Sequence, residues 1–152
     1  MRVRTYCPCV LRAILLVEFP LQVAERARQH RESLLREFAI IAHGGGDAAD
    51  VPKRLLDIAR LYNERYADLN PEADDAVDAG IASGHTSIDL RVHVPEPIKD
   101  DTLALVPLLV EVNAYSRSGD LLTTPPDDDI RAFWFWFFAE IIRQLAGEPP
   151  RP

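Results

Sequence analysis

The sequence predicts an α+β fold that is mainly α, with about five helices and two strands in one domain. Three observations carry that expectation. Residues 87 to 94, Ser-Ile-Asp-Leu-Arg-Val-His-Val, alternate strictly, with Ile88, Leu90, Val92 and Val94 on one face, which is the two-residue period of a half-buried strand. Several longer stretches repeat apolar residues every three to four positions, the period of an amphipathic helix. Helix starts such as Asn70-Pro71 and stops such as Gly84 separate them. A chain of 152 residues suits one core that buries roughly two thirds of its unfolded surface without disulfides or metals.

Taken in order, residues 13–19 (AILLVEF) read as the first strand from their β-branched and aromatic content. A long helix follows from Leu21 to about Ala42. It places Val23, Ala27, Leu34, Phe38 and Ile41 inward, with Arg28, Glu32 and Arg36 forming i,i+4 pairs outside. A second helix runs from an Asp50 cap to about Asn70 with Leu55, Ala59, Tyr62 and Tyr66 on one face, and Pro52 fits its first turn. The third begins at Asn70-Pro71, carries Ala73, Ala76 and Val77, and stops near Gly80 and Gly84. After the second strand a helix is expected over 101–116, with Pro107 kinking it or delaying its start. The last helix reaches Leu145, with Thr124 as cap and Asp127, Asp128 and Asp129 at its positive end. Strand, Pro20, helix in the first half and strand, Pro95, helix in the second form the pattern of a strand-helix unit used twice. Two strands make a marginal sheet, so either helices cover it or a second subunit extends it.

The domain is expected over 13–147, preceded by a leader of residues 1–12 and followed by a Pro-rich tail, 148–152. The leader lacks a signal-peptide pattern, because Arg12 interrupts its apolar run and no small-residue cleavage site follows. No apolar run approaches the roughly 18 residues of a membrane helix. Together with only two cysteines, this points to the cytoplasm. Cys7-Pro8-Cys9 supplies at most half of a zinc site, and no second Cys pair exists.

Net charge is −7, unevenly placed: residues 1–43 hold seven Arg against four Glu, while 44–152 hold ten basic against twenty acidic residues. The acidic balance disfavours nucleic acid as a partner, since phosphate contacts need clustered Lys and Arg.

Catalytic signatures fail one after another. His43-Gly44-Gly45-Gly46 resembles an oxyanion loop, but the matching nucleophile motif is absent, since Gly80-Ile81-Ala82-Ser83-Gly84 places serine one position late. His43 and the glycines fit a helix end, where a cation offsets the negative terminus. The acidic run from Asp74 puts Ala76, Ala79 and His85 at positions a calcium loop reserves for Asp, Gly and Glu. His30 and Glu32 imitate the His-x-Glu of zinc deaminases without the downstream Cys pair. His30, His43, His85 and His93 share no metal-ligand spacing. Neither a metal nor a cofactor is expected, and no catalytic residue is assigned.

The most unusual stretch is Ile130-Arg-Ala-Phe-Trp-Phe-Trp-Phe-Phe-Ala-Glu140 and its continuation to Leu145. A helical wheel puts Ile130, Trp134, Phe137, Phe138, Ile141 and Leu145 on a core face, and leaves Phe133 and Trp136 among Ala132, Glu140, Arg143 and Gln144 outside. Phe133, Trp136, Glu140 and Arg143 are therefore the expected interaction residues, aromatic and Arg side chains being common anchors of interfaces. A protein partner or a homodimer would cover them.

The segments FPLQVAERARQHRESLLREFAIIA, VEVNAYSRSGDLLTTPP and FWFWFFAEIIRQLAG resemble small bacterial proteins, typical of actinomycetes, that accompany partner-switching regulators of sigma factors. The similarity spans roughly residues 14–147. It implies a regulatory interaction protein that binds an anti-sigma kinase or its antagonist, and it transfers no functional residue. The alternative is a small-molecule binder or minor enzyme whose pocket between helices is lined by Tyr62, Tyr66, His85 and His93.

Overall fold

A computed structural model of the chain describes residues 10–44, 53–60, 69–117 and 123–152. The elements run β1 (Leu11–Pro20), α1 (Leu21–Gly44), α2 (53–60), α3 (Pro71–Ala82), β2 (Ser87–Pro95), α4 (Ile98–Arg117) and α5 (Asp128–Leu145). This is the expected α+β class, with five helices and one two-stranded antiparallel sheet among the described residues. Asp50, Pro52, Tyr62 and Tyr66 of the second expected helix lie outside the described residues, as do Cys7, Cys9 and Gly45-Gly46.

β1 starts two residues before the expected domain boundary. Leu11 and Arg12 pair with Pro95 and Val94, and Arg12 reaches Glu96 at 3.1 Å, so both belong to the sheet and not to a leader. The register then breaks: Leu16 faces Leu90 while Phe19 faces Ile88, so β1 spends one residue more than β2. This β-bulge reverses the parity of β1, which lets Ile14, Leu16 and Phe19 all enter the core. Glu18 takes φ 53°, a left-handed conformation unfavourable for a residue with a Cβ, and its N–H is held at 2.9 Å by Asp89 Oδ1.

One face of the sheet lies on the main core, built from Ile14, Leu16, Phe19, Leu90 and Val94 with Leu21 of α1, Ala73 of α3, Ile98 of α4 and Ile141 of α5. The far half of α1 leaves the sheet and makes a second cluster, in which Leu34 and Phe38 meet Leu55 of α2, flanked by Leu105 of α4. The inward spacing of α1 is as expected at Ala27, Leu34 and Phe38. Arg28 bridges Glu25 and Glu32 at 2.5 and 2.6 Å, but Arg36 donates to Ser33 Oγ instead of pairing with Glu32. His43 sits in the last turn of α1 with Nδ1 2.8 Å from the Ala39 carbonyl, and Gly44 is the last helical residue.

α3 ends at Ala82, between the two glycines expected to stop it; it continues through Gly80 because Gly80 is where the helix presses on Leu21 and Ile88, and Ala76 is exposed. It ends in a Schellman motif, Gly84 N–H to Ile81 O and His85 N–H to Gly80 O, with Gly84 at φ 73°. α4 starts at Ile98 and runs through Pro107. Pro107 has no N–H to donate to the carbonyl of Leu103, an exposed residue to which water has access. α5 is capped by Asp127, whose Oδ1 accepts from Ile130 N–H at 2.9 Å, and not by Thr124. Pro125 and Pro126 push the residues before them out of helical space, so the helix cannot begin until they are passed. No helix among the described residues is long and apolar enough to cross a membrane.

Candidate interaction surface

The face of α5 that meets the core is broader than its wheel suggests: Ile130, Phe137, Ile141 and Leu145 turn inward as expected, and Phe133 and Trp136 join them. Phe133, Trp136, Phe137 and Leu145 pack against the main cluster, and Phe133 meets Phe19 edge-on at 5.6 Å between ring centroids. Trp136 lies 6.3 Å from Phe19 and 6.1 Å from Phe133. The two rings assigned to an interface are thus part of the fold, and the ring that projects into solvent is Phe135, 58% exposed. Ala132 and Ala139 are exposed beside it.

Glu140 and Arg143 are also committed inside the chain. Glu140 is 3% exposed. Its carboxylate accepts from Gln144 Nε2 at 2.9 Å, from the Arg151 N–H at 3.1 Å and from the Arg143 guanidinium. Burial by itself would raise its pKa, but these donors outweigh burial and hold the carboxyl below the usual range. Arg143 also reaches Glu148 at 2.9 Å and the Pro149 carbonyl at 3.2 Å, so part of the expected tail is fastened to α5.

A further exposed apolar surface lies on α4. Leu103, Pro107, Val110 and Ala114 follow one another at spacings of four, three and four, which places them on one side of the helix. All four are exposed, Leu103 by 48% and Val110 by 57%. Pro107 of this face, with Ala104 and Glu111 beside it, also forms one wall of a groove of about 340 Å³, whose other wall is Arg54, Asp57 and Ile58 of α2. An Arg54–Glu111 ion pair closes the groove at its rim. The exposed side of α2 carries Lys53, Arg54 and Arg60 against Asp57, a basic strip on a chain of net charge −7. The sequence signal for this face was Pro107 within an apolar helix, since a helical proline is best tolerated where water can reach the freed carbonyl.

A second concavity, of about 550 Å³, opens between α1 and the segment before α5. It is lined by Arg26, Gln29, His30, Ser33, Thr123 and Thr124. Arg26 is bonded to Asp127 at 2.8 Å and Asp129 at 3.3 Å, and Thr123 N–H donates to Glu37 at 2.8 Å. His30 packs on Trp134, 6.0 Å between ring centroids, and its Nε2 is buried without a hydrogen-bond partner among the described residues. Burial lowers its pKa, an effect that the nearby Asp127 partly opposes.

His85 and His93, expected to line a pocket, are exposed and border neither concavity. Ser83 is the C-cap of α3, the opposite of a strand-to-helix nucleophile turn. Among the described residues no three His, Cys, Asp or Glu side chains gather as a metal site. Compared with protein-family models, curated proteins and solved structures, the chain finds no match.

Proposed function

We propose that this chain is a non-enzymatic regulatory protein that acts by protein contact, receiving an amphipathic helix of its partner in the α2/α4 groove. The observation that carries the reading is the exposed apolar face of α4, formed by Leu103, Pro107, Val110 and Ala114, which meets the groove wall at Pro107. Covering the exposed parts of Leu103 and Val110 contributes about 1 kcal/mol each, and helix-in-groove docking is the mode such a surface serves. The basic strip Lys53, Arg54 and Arg60 suits an acidic flank on the incoming helix. The resemblance to companions of partner-switching regulators directs the search to an anti-sigma kinase or its antagonist, in the cytoplasm. The test is calorimetric titration of each purified candidate against the native chain and against Val110→Asp. Binding that weakens about tenfold or more in the variant, at unchanged melting temperature, supports the reading; binding indifferent to Val110→Asp, or none, removes it.

A second reading is favoured by one observation, the orphaned Nε2 of His30 beside five other hydrogen-bonding side chains. Buried polar atoms usually have a partner, so the concavity suits a small hydrogen-bonding ligand. A thermal-shift screen with metabolites tests it: a ligand whose shift vanishes in His30→Leu supports it, and no shift with any compound counts against it.

A further inference from the structure

Both edges of the two-stranded sheet are met by a side-chain amide. On β1, Gln144 Oε1 accepts from the Leu15 N–H at 2.9 Å, and Gln144 Nε2 donates to the Leu15 carbonyl at 2.8 Å. On β2, Asn70 Nδ2 donates to the His93 carbonyl at 2.9 Å, and Asn70 Oδ1 accepts from the His93 N–H at 2.6 Å. Each amide imitates one residue of a neighbouring strand. Asn70 does so at the expense of its local role, for it occupies the N-cap of α3 and makes no side-chain cap bond there.

The two edges are not equally guarded. In an antiparallel ladder the backbone groups point alternately toward and away from the partner. Since those of Leu15 and His93 point away, so do those of Leu11, Ala13 and Arg91. The outer edge of β2 also carries Pro95, which has no N–H, and the charged side chains Asp89 and Arg91. Proline and charge are the usual defences of an edge strand. β1 has its proline, Pro20, and the exposed Glu18 only past the bulge; at its start the residues whose backbone groups point outward are apolar, Leu11 at 46% exposure and the exposed Ala13, with Val10 before them 77% exposed. Leu11 and Ala13 make no backbone hydrogen bond outside the β1–β2 ladder to the described residues. An apolar, unpaired edge is a template for a like strand.

We propose that Gln144 is an edge clamp that prevents two copies of this chain from pairing β1 to β1, and that Glu140 is its positioning residue. With Leu15 occupied, the free edge is interrupted after Ala13, too short a run for a stable antiparallel pair. Glu140 decides which way the Gln144 amide points, because its buried carboxylate accepts the second N–H of the same Nε2 that serves Leu15. A flipped amide would set oxygen against both the carboxylate and the Leu15 carbonyl. This proposal rests on the sheet alone and is independent of the α2/α4 groove.

The test combines exchange and mass. In the unaltered chain, hydrogen exchange at the Leu15 and His93 amides is expected to be slowed to the level of the ladder amides, while Ala13 exchanges fast; fast exchange at Leu15 overturns the clamp whether or not any variant folds. Gln144→Leu is expected to double the mass measured by light scattering as concentration rises, with helical circular dichroism retained. Adding Ala13→Pro, which removes an outward N–H and leaves the β1–β2 ladder intact, is expected to return the mass to that of the unaltered chain. A folded Gln144→Leu that gains no mass, or a gain that Ala13→Pro does not reverse, overturns the proposal. Glu140→Gln, which can donate where the carboxylate only accepts, is expected to speed Leu15 exchange without altering that of His93; unchanged exchange at Leu15 removes Glu140 from the clamp.

Discussion

Replacing Phe133 by alanine is expected to cost the domain about 3 kcal/mol, while the same change two positions away at Phe135 costs at most about 0.5 kcal/mol. The magnitude for Phe133 follows from its surroundings. Its ring centroid lies 5.6 Å from that of Phe19, 6.0 Å from Phe137 and 6.1 Å from Trp136, so truncation leaves a cavity bordered by three aromatic rings and the sheet. Large-to-alanine changes at well-packed aromatic sites cost about 3–5 kcal/mol, and Phe133 keeps some exposure, which places it at the lower end. Phe135 is 58% exposed and has little packing to lose. Urea unfolding followed by far-ultraviolet circular dichroism measures both. For a chain of this size the Phe133 change corresponds to a melting-temperature loss of about 6–12 °C. If Phe133→Ala proves no more destabilising than Phe135→Ala, Phe133 does not belong to the core, and the outward assignment of Phe133 and Trp136 is restored.

Gly80→Ala should gain up to about 1 kcal/mol in helix propensity and lose about 1–3 kcal/mol to overpacking, because the added Cβ would sit 2.9 Å from Leu21 Cδ1 and 3.3 Å from Ile88 Cγ2; a net loss of about 1 kcal/mol is expected in denaturant titration, and a net gain would show that Leu21 turns aside. Asp127→Ala should cost about 1 kcal/mol by removing the α5 cap, whereas Thr124→Ala should change stability by less than about 0.5 kcal/mol, and equal losses would count against the cap assignment. His30 adds a pH dependence. Its folded pKa is lowered, so the unfolded chain binds the proton first, and stability should fall as pH drops below the ordinary histidine value of about 6.5 toward the depressed folded value. Melting temperature against pH should be flatter over that window in His30→Gln; an identical slope would remove His30 as its source.

Elements were legible where local pattern and tertiary role coincide. The strict alternation of 88–94 yields a strand because its polar residues really do face water, as Asp89, Arg91 and His93 are all exposed. The inward row Ala27, Leu34 and Phe38 is right for the same reason. The wheel of α5 fails where this agreement breaks down. Glu140, Arg143 and Gln144 were read as marking the solvent face because they are polar, but Glu140 is buried, with Gln144 and Arg143 largely covered beside it. Its donors come from its own last turns and from Arg151, while Gln144 finds its partner in Leu15, 129 positions away. With those polar residues turned inward, Phe133 and Trp136 follow them into the core, and Phe135 is carried out.

Composition, periodicity and helix punctuation by themselves determined the α+β class and the order of strands and helices among the described residues, because these are short-range properties: which side chains recur at a given spacing, and where proline or glycine forbids continuation. Only the tertiary structure decided which residues of α4 and α5 are inside. A helix that is apolar nearly all round has no preferred face until neighbours choose one, and α4 and α5 are both of this kind. The same holds for the edge amides. Nothing local distinguishes Gln144 or Asn70 from any other exposed amide, since their role is defined by backbone groups that folding brings alongside them.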